Sequence, residues 1–376
     1  YYVGCFLTII YYPCLTSVLS WLSARYTLVF ITSIAPDFPL LGLGAAAGAE
    51  TVLGPECMSL AMFYMCCAYA VNALSPKLAG KLQVSTTIIK LIPLFLMAIV
   101  GIVVGIANGT LANNFNTLAD VGTTSTSPLF ASVCATAFAY EGWIIATSIN
   151  AELKDAKKNL PRALVIGAII IIATYIFYYV GVAGGATNQE LIDSGATVAF
   201  INVFGNVLGN ILNLFIAISC IGTMNGLMLG CVRGLYSIAV RGRGPAPHVF
   251  SQIDKETNMP HNSAIVGLLL CGFWGLYFFL ANLAGTWSGP FVFDSSELPI
   301  ITIYMLYLPI FVMWIKKATD ETAMRRYVLP LLAICGSLFM IYASIMGHGI
   351  ACFWYLIVFA AVMAVGFAFS KEKPIN

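Results

Sequence analysis

The sequence predicts an all-α, polytopic membrane bundle of ten helices, and three observations predict it. Of 376 residues, 60% are hydrophobic and only 9% are charged, with a mean hydropathy of +0.90. A water-soluble domain carries roughly 25% charged residues to hold its hydration shell, so lipid is the solvent for most of this chain. Second, the chain divides into apolar stretches of the length that crosses a bilayer, about 20 residues of helix. Third, Lys and Arg crowd into alternate connectors and are missing from those between. Backbone groups in hydrocarbon must bond within their own segment. The ten-residue alternation of a membrane barrel is absent, so the stretches are helices.

The first stretch, 1–33, opens at Tyr1 already inside apolar sequence, with neither an initiator Met nor a signal-peptide pattern; this suggests a piece of a longer chain. Stretches 55–75 and 83–107 flank a short basic connector. Stretch 127–151 carries Glu141 beside Gly142 near its middle, and 163–184 follows a second basic connector. Stretch 199–239, like the first, exceeds the minimum span and is expected to tilt or to extend beyond the bilayer. Stretches 262–282, 292–315, 327–346 and 350–370 complete the set. The longest basic connector, 241–262, is too short for an independent domain, so 1–376 reads as a single transmembrane domain.

Charge placement orients the spans. Connectors 76–82, 152–162, 240–261 and 316–326 and the tail after 370 hold Lys77, Lys81, Lys154, Lys157, Lys158, Arg162, Arg241, Arg243, Lys255, Lys316, Lys317, Arg325, Arg326, Lys371 and Lys373. Connectors 34–54, 108–126, 185–198, 283–291 and 347–349 hold none. Short loops rich in Lys and Arg stay cytoplasmic. A multi-pass cell-membrane protein with both chain ends in the cytoplasm is therefore expected, and the loop near Asn114 should be external. The net charge of +2 leaves no basic footprint for nucleic acid. The 11 cysteines lie mostly within apolar runs, form no CxxC, and read as packing residues. His248, His261 and His348 have no metal-ligand spacing, so neither a metal nor a cofactor is expected. Clustered nucleophiles, an intramembrane aspartate pair and HExxH are absent, which excludes the usual membrane-embedded enzymes. The pore-filter repeat or arginine-rich sensor helix of a channel is also missing.

Ionisable groups inside spans are costly and mark candidate sites. Arg233 can snorkel to the basic loop, Asp294 and Glu297 sit at a span end near water, and the depth of Arg25 is not fixed by the sequence. Glu141 differs, because it lies mid-span within Phe138-Ala139-Tyr140-Glu141-Gly142-Trp143. Glycine beside a carboxylate favours a helix break, and breaks near the midplane are where many transporters bind small charged solutes. A packing glycine fits the composition equally well.

Those six residues, followed by Glu152-Leu153-Lys154 and Asn159-Leu160-Pro161-Arg162-Ala163, resemble the sixth span and following loop of amino-acid permeases. Ser219-Cys220-Ile221-Gly222-Thr223-Met224-Asn225-Gly226, then Arg233, Gly244-Pro245-Ala246-Pro247 and Phe250, are similar to the eighth span and its loop. The chain thus resembles the amino acid–polyamine–organocation superfamily along its whole length, nearest the L-type transporters and serine/threonine exchangers. The resemblance implies two inverted five-helix repeats plus two further helices, with the family's first two helices absent here. It implies secondary transport of an amino acid by alternating access, without covalent chemistry. Phe138 matches the aromatic that stacks over substrate. The carbonyls of Phe138, Ala139 and Glu141 match those receiving its ammonium group, Tyr140 falls within the same segment, and Gly142 supplies the break. Ser219 and Thr223 match the face beside an ion site. Asn225 matches either a pocket residue or a helix–helix hydrogen bond. Ile144 departs from the L-type pattern, which has asparagine there, so a preference for large neutral substrates does not transfer. A polyamine or amino-acid/amine antiporter and a non-transporting nutrient sensor remain open as alternatives.

Lys90 lies about seven residues into its stretch, roughly 10 Å along the axis, against a half-core of roughly 15 Å. Its surroundings, Thr86-Thr87-Ile88-Ile89-Lys90-Leu91-Ile92-Pro93, are similar to the fifth span of sodium-independent family members, where a lysine replaces a sodium ion. The resemblance implies sodium-independent transport with Lys90, Ser219 and Thr223 at the coupling site. Protons are the weaker candidate for a coupling partner.

Overall fold

The computed structural model describes residues 1–35, 55–117, 127–140, 142–144, 154–284, 287 and 289–372, and every regular element among them is helical. Nine of these helices are long and apolar enough to cross a membrane. They are α1 (Tyr2–Ile34), α2 (Glu56–Leu74), α3 (Lys77–Ala107), α6 (Ala156–Gly185), α8 (Ala196–Ala239), α9 (His261–Leu283), α10 (Leu298–Lys317), α11 (Met324–His348) and α12 (Ile350–Ala368). Between them lie the short helices α4 (Thr110–Asn116), α5 (Pro128–Tyr140) and α7 (Asn188–Ser194). Each expected apolar stretch contains a helix among the described residues. In the fourth, 127–151, the described residues form the 13-residue α5 followed by non-helical 142–144.

Local chemistry sets these boundaries. Ser75 caps α3 by accepting from the Leu78 N–H, and Pro76 occupies the first turn, where its missing N–H has no helical partner to lose. Pro93 interrupts the hydrogen-bond ladder of α3, and a π turn follows at Met97–Gly101. The 44 residues of α8 would run about 66 Å as one rod, twice a hydrocarbon core. Gly205 divides them, with φ 81° and ψ 169°, a conformation open to glycine and closed to most side chains. The expected tilt or overrun of stretch 199–239 is therefore accompanied by a break near its start.

The chain divides into two compact units. The first comprises Tyr1–Val18, Thr123–Gly142 and Gly230–Asn376. Its centre is the beginning of α1, where Phe6, Ile10, Tyr11 and Cys14 are fully buried. Pro13 has no N–H to offer the Ile9 carbonyl, and the Trp274 indole donates to that oxygen at 2.8 Å. Phe6 meets Phe359 edge to face, and the Thr302 hydroxyl donates to the Tyr355 hydroxyl at 2.6 Å.

The second unit comprises Leu19–Gly122 and Trp143–Leu229. Here α3 and α6 meet backbone to backbone. A Cβ on Gly101 would overlap the Gly181 carbonyl, and one on Gly184 would overlap that of Gly101. Small residues that let backbones touch are how helices associate in lipid, where apolar surface alone supplies no driving force. Beyond this seam Asn114 donates to the Ala183 and Ala186 carbonyls, both at 2.7 Å, and accepts from the Asn188 N–H at 3.0 Å. The other face of α6 presents Val165, Ile166, Ile169, Ile170 and Phe177 outward, a surface suited to acyl chains.

Candidate functional site

In the first unit, α5 carries apolar residues to Tyr140 and stops there, inside the fourth apolar stretch. Gly142 takes φ +114°, where a side chain would be strained, although a Cβ there would meet nothing within 4 Å. Phe138 is half-buried on the last helical turn, Ala139 and Tyr140 are exposed, and Ile144 is buried. Glu141 lies outside the described residues. The final turn of a helix directs its carbonyl dipoles beyond the helix and carries the negative end of the macrodipole. A helix end of this kind attracts a cationic group.

In the second unit, α3 and α8 form an antiparallel seam. Asn225 Nδ2 donates to the Ala79 carbonyl at 3.2 Å and to Gln83 Oε1 at 3.4 Å. One turn along, a Cβ on Gly222 would overlap the Thr86 side chain. Residues 79, 83, 86 and 90 share one face of α3 at helical spacing, so Lys90 continues this seam by a further turn. Lys90 there lies near Cys220, one residue from Ser219. The Thr223 hydroxyl donates to the Ser219 carbonyl at 3.0 Å. Among the described residues no hydrogen bond links Lys90 Nζ to the Ser219 or Thr223 hydroxyl. Lys90, Ser219 and Thr223 thus lie along one helix pair. Phe138, Ala139, Tyr140 and Gly142 belong to the other unit.

Asn225 is 2% exposed, and a third helix secures it. Asn72 Nδ2 donates to Asn225 Oδ1 at 2.8 Å and to the Asn225 carbonyl at 3.2 Å. Of the two roles left open for Asn225, the structure displays the helix–helix bond. Asn72, Gln83 and Cys220 were not singled out by the sequence. The available signal was Asn72 itself, an amide in the middle of a span, where such groups commonly bond across helices.

Residues 1–369 match the family model described as amino acid permease. The chain is 26% identical over 341 residues to the Serine/threonine exchanger SteT of Bacillus subtilis, covering 88% of this chain and 72% of that protein. It is 29% identical over 268 residues to the Asc-type amino acid transporter 1 of Mus musculus, covering 70% and 46%. Similarity to the b(0,+)-type amino acid transporter 1 of Rattus norvegicus is 26% over 294 residues, covering 77% and 57%. The chain therefore spans about half the length of these mammalian relatives.

Proposed function

The chain belongs to the amino acid permease family, and on that footing we propose that it carries amino acids across the cell membrane by alternating access, without sodium. The observation that carries this reading is the interrupted fourth apolar stretch, where α5 ends at Tyr140 and Gly142 leaves helical space. A helix terminus inside an apolar stretch offers oriented carbonyls to a substrate ammonium group at little cost in reorganisation. In this reading the segment Phe138, Ala139, Tyr140, Glu141 and Gly142 holds the amino acid. Phe138 stacks over it, and Glu141 biases the site toward polar or cationic side chains.

Lys90 supplies the positive charge that a sodium ion would otherwise provide, with Ser219 and Thr223 close along the same helix pair. An amine so placed can also exchange a proton, which makes protons the candidate coupling ion. Asn225 pins α8 to α2 and α3 along this helix pair. The Lys- and Arg-bearing connectors and both chain ends face the cytoplasm.

The test is uptake of radiolabelled amino acids by the full-length protein in liposomes. Equal uptake in sodium and choline buffers is expected. Strict sodium dependence would remove Lys90 from the coupling site. Substrate binding without flux would identify a sensor.

A further inference from the structure

Cys134, Glu297 and His348 are separated by 163 and 51 positions in the chain, yet the first unit gathers them from three helices. Cys134 lies in the middle of α5, Glu297 immediately precedes α10, and His348 is the last residue of α11. The Cys134 Sγ, a Glu297 carboxylate oxygen and a His348 ring nitrogen all lie within 4.8 Å of one another. Among the described residues this is the one group of three such ligands.

The surroundings hold the three groups in place. Asp294 accepts from the Ser296 and Glu297 N–H groups at 2.6 and 3.1 Å, which fixes the turn carrying Glu297. Gly347 on α11 faces α5, and a Cβ there would sit in ordinary contact with Cys134 Sγ at 3.5 Å. The His348 and Glu297 side chains are only 14% and 21% exposed. His348 Nε2 is 3.0 Å from Glu297 Oε2, but its geometry there is not that of a hydrogen bond, and this buried nitrogen has no hydrogen-bond partner. A buried ring nitrogen without one is an unsatisfied group that calls for an explanation.

We propose that Cys134, Glu297 and His348 form a binding site for a divalent transition-metal ion of the zinc class. Thiolate, imidazole and carboxylate together suit a borderline-soft ion, and three protein ligands leave a fourth tetrahedral position to water. Metal–ligand bonds of about 2.0–2.3 Å place tetrahedral ligand atoms roughly 3.3–3.8 Å apart. Adjustments of about 1 Å, within reach of side-chain rotation, therefore bring the present atoms to bonding distance. On binding, the Cys134 S–H bond breaks and a sulfur–metal bond forms, with the proton released to solvent. The Glu297 carboxylate and the His348 nitrogen lone pair complete the set. The ion would compensate a carboxylate held away from water and tie α5, the helix that ends at the Gly142 break, to α10 and α11.

Cobalt(II) is the probe, titrated into reduced, full-length protein purified without a histidine tag. The expected result is a thiolate-to-cobalt charge-transfer band with the visible pattern of a tetrahedral ion, saturating at one equivalent and abolished by zinc. Cys134→Ser should lose the charge-transfer band, and His348→Gln or Glu297→Gln should weaken cobalt affinity by about tenfold or more. Absence of the band in the unsubstituted protein overturns the proposal whether or not the variants fold. Retention of the band in Cys134→Ser, or unchanged affinity in a folded His348→Gln protein, overturns it as well. None of these readouts depends on transport.

Discussion

At the scale of single residues, Lys90 and Glu190 make opposite demands on their surroundings. Lys90 places an amine inside an apolar helix, and the neighbouring α8 brings Cys220 near it. Lys90→Ala is expected to cut uptake about tenfold or more, the equivalent of about 1.4 kcal/mol in the transport barrier, while leaving protein yield intact. Full uptake by that variant removes the residue from coupling. Lys90 stood out in the sequence as a candidate because an amine inside an apolar run is costly. Asn225 was ambiguous, since an amide in a span can face a solute or a helix, and its bonds to Asn72 and Ala79 exist only in the folded chain. Glu190 lies in a connector. The Thr187 N–H and hydroxyl both donate to its carboxylate at 2.8 Å and hold it below the ordinary value of 4.5. A depressed folded value means the cap is fully present above pH 4.5 and fails as pH falls through the lower, folded value. Deuterium exchange of 187–195, corrected for its intrinsic pH dependence, should accelerate across that window. Glu190→Gln should flatten the response.

At the scale of elements, the break after α5 separates conformational need from available space. A Cβ at Gly142 meets nothing, so the cost of substitution comes from φ +114° and amounts to about 1–3 kcal/mol. Gly142→Ala is expected to lower uptake partially by this strain. Gly142→Leu is expected to abolish uptake by strain and by filling the site, at normal surface expression. Near-normal flux in a well-expressed Gly142→Leu protein would exclude this segment as the binding site. The carboxylate beside the glycine suggested the break, but a packing glycine fitted equally well until the resemblance of 138–143 to a permease span favoured it. The break at Gly205 was not readable, because Phe204-Gly205-Asn206 resembles many continuous helices and only φ 81° distinguishes it. Likewise the union of Cys134 with Glu297 and His348 has no local signature, since tertiary packing alone assembles it.

At the scale of the whole molecule, composition and the length of the apolar stretches anticipated the spans, because lipid permits few alternatives. Orientation rests on loop charge, and single cysteines in a Cys-depleted full-length protein test it. An impermeant reagent applied from outside should label a cysteine at Asn116, an exposed position on α4, and should miss one at Lys157. The reverse pattern would invert the topology. Asn114 is a poor place for the label, being buried and bonded to three backbone groups. The glycine contact between α3 and α6 has a mechanical consequence. The main chains of α3 and α6 fit directly against each other at Gly101, Gly105, Gly181 and Gly184, so the end of α3 from Met97 to Gly105 is expected to act as a fixed foot. Lys90 stands on the shank below, with the ladder-breaking Pro93 between it and the foot. Deuterium exchange should therefore be slowest at 97–105 and faster just before Pro93. Any movement of the amine is then expected to be a swing about the proline joint, with the foot planted.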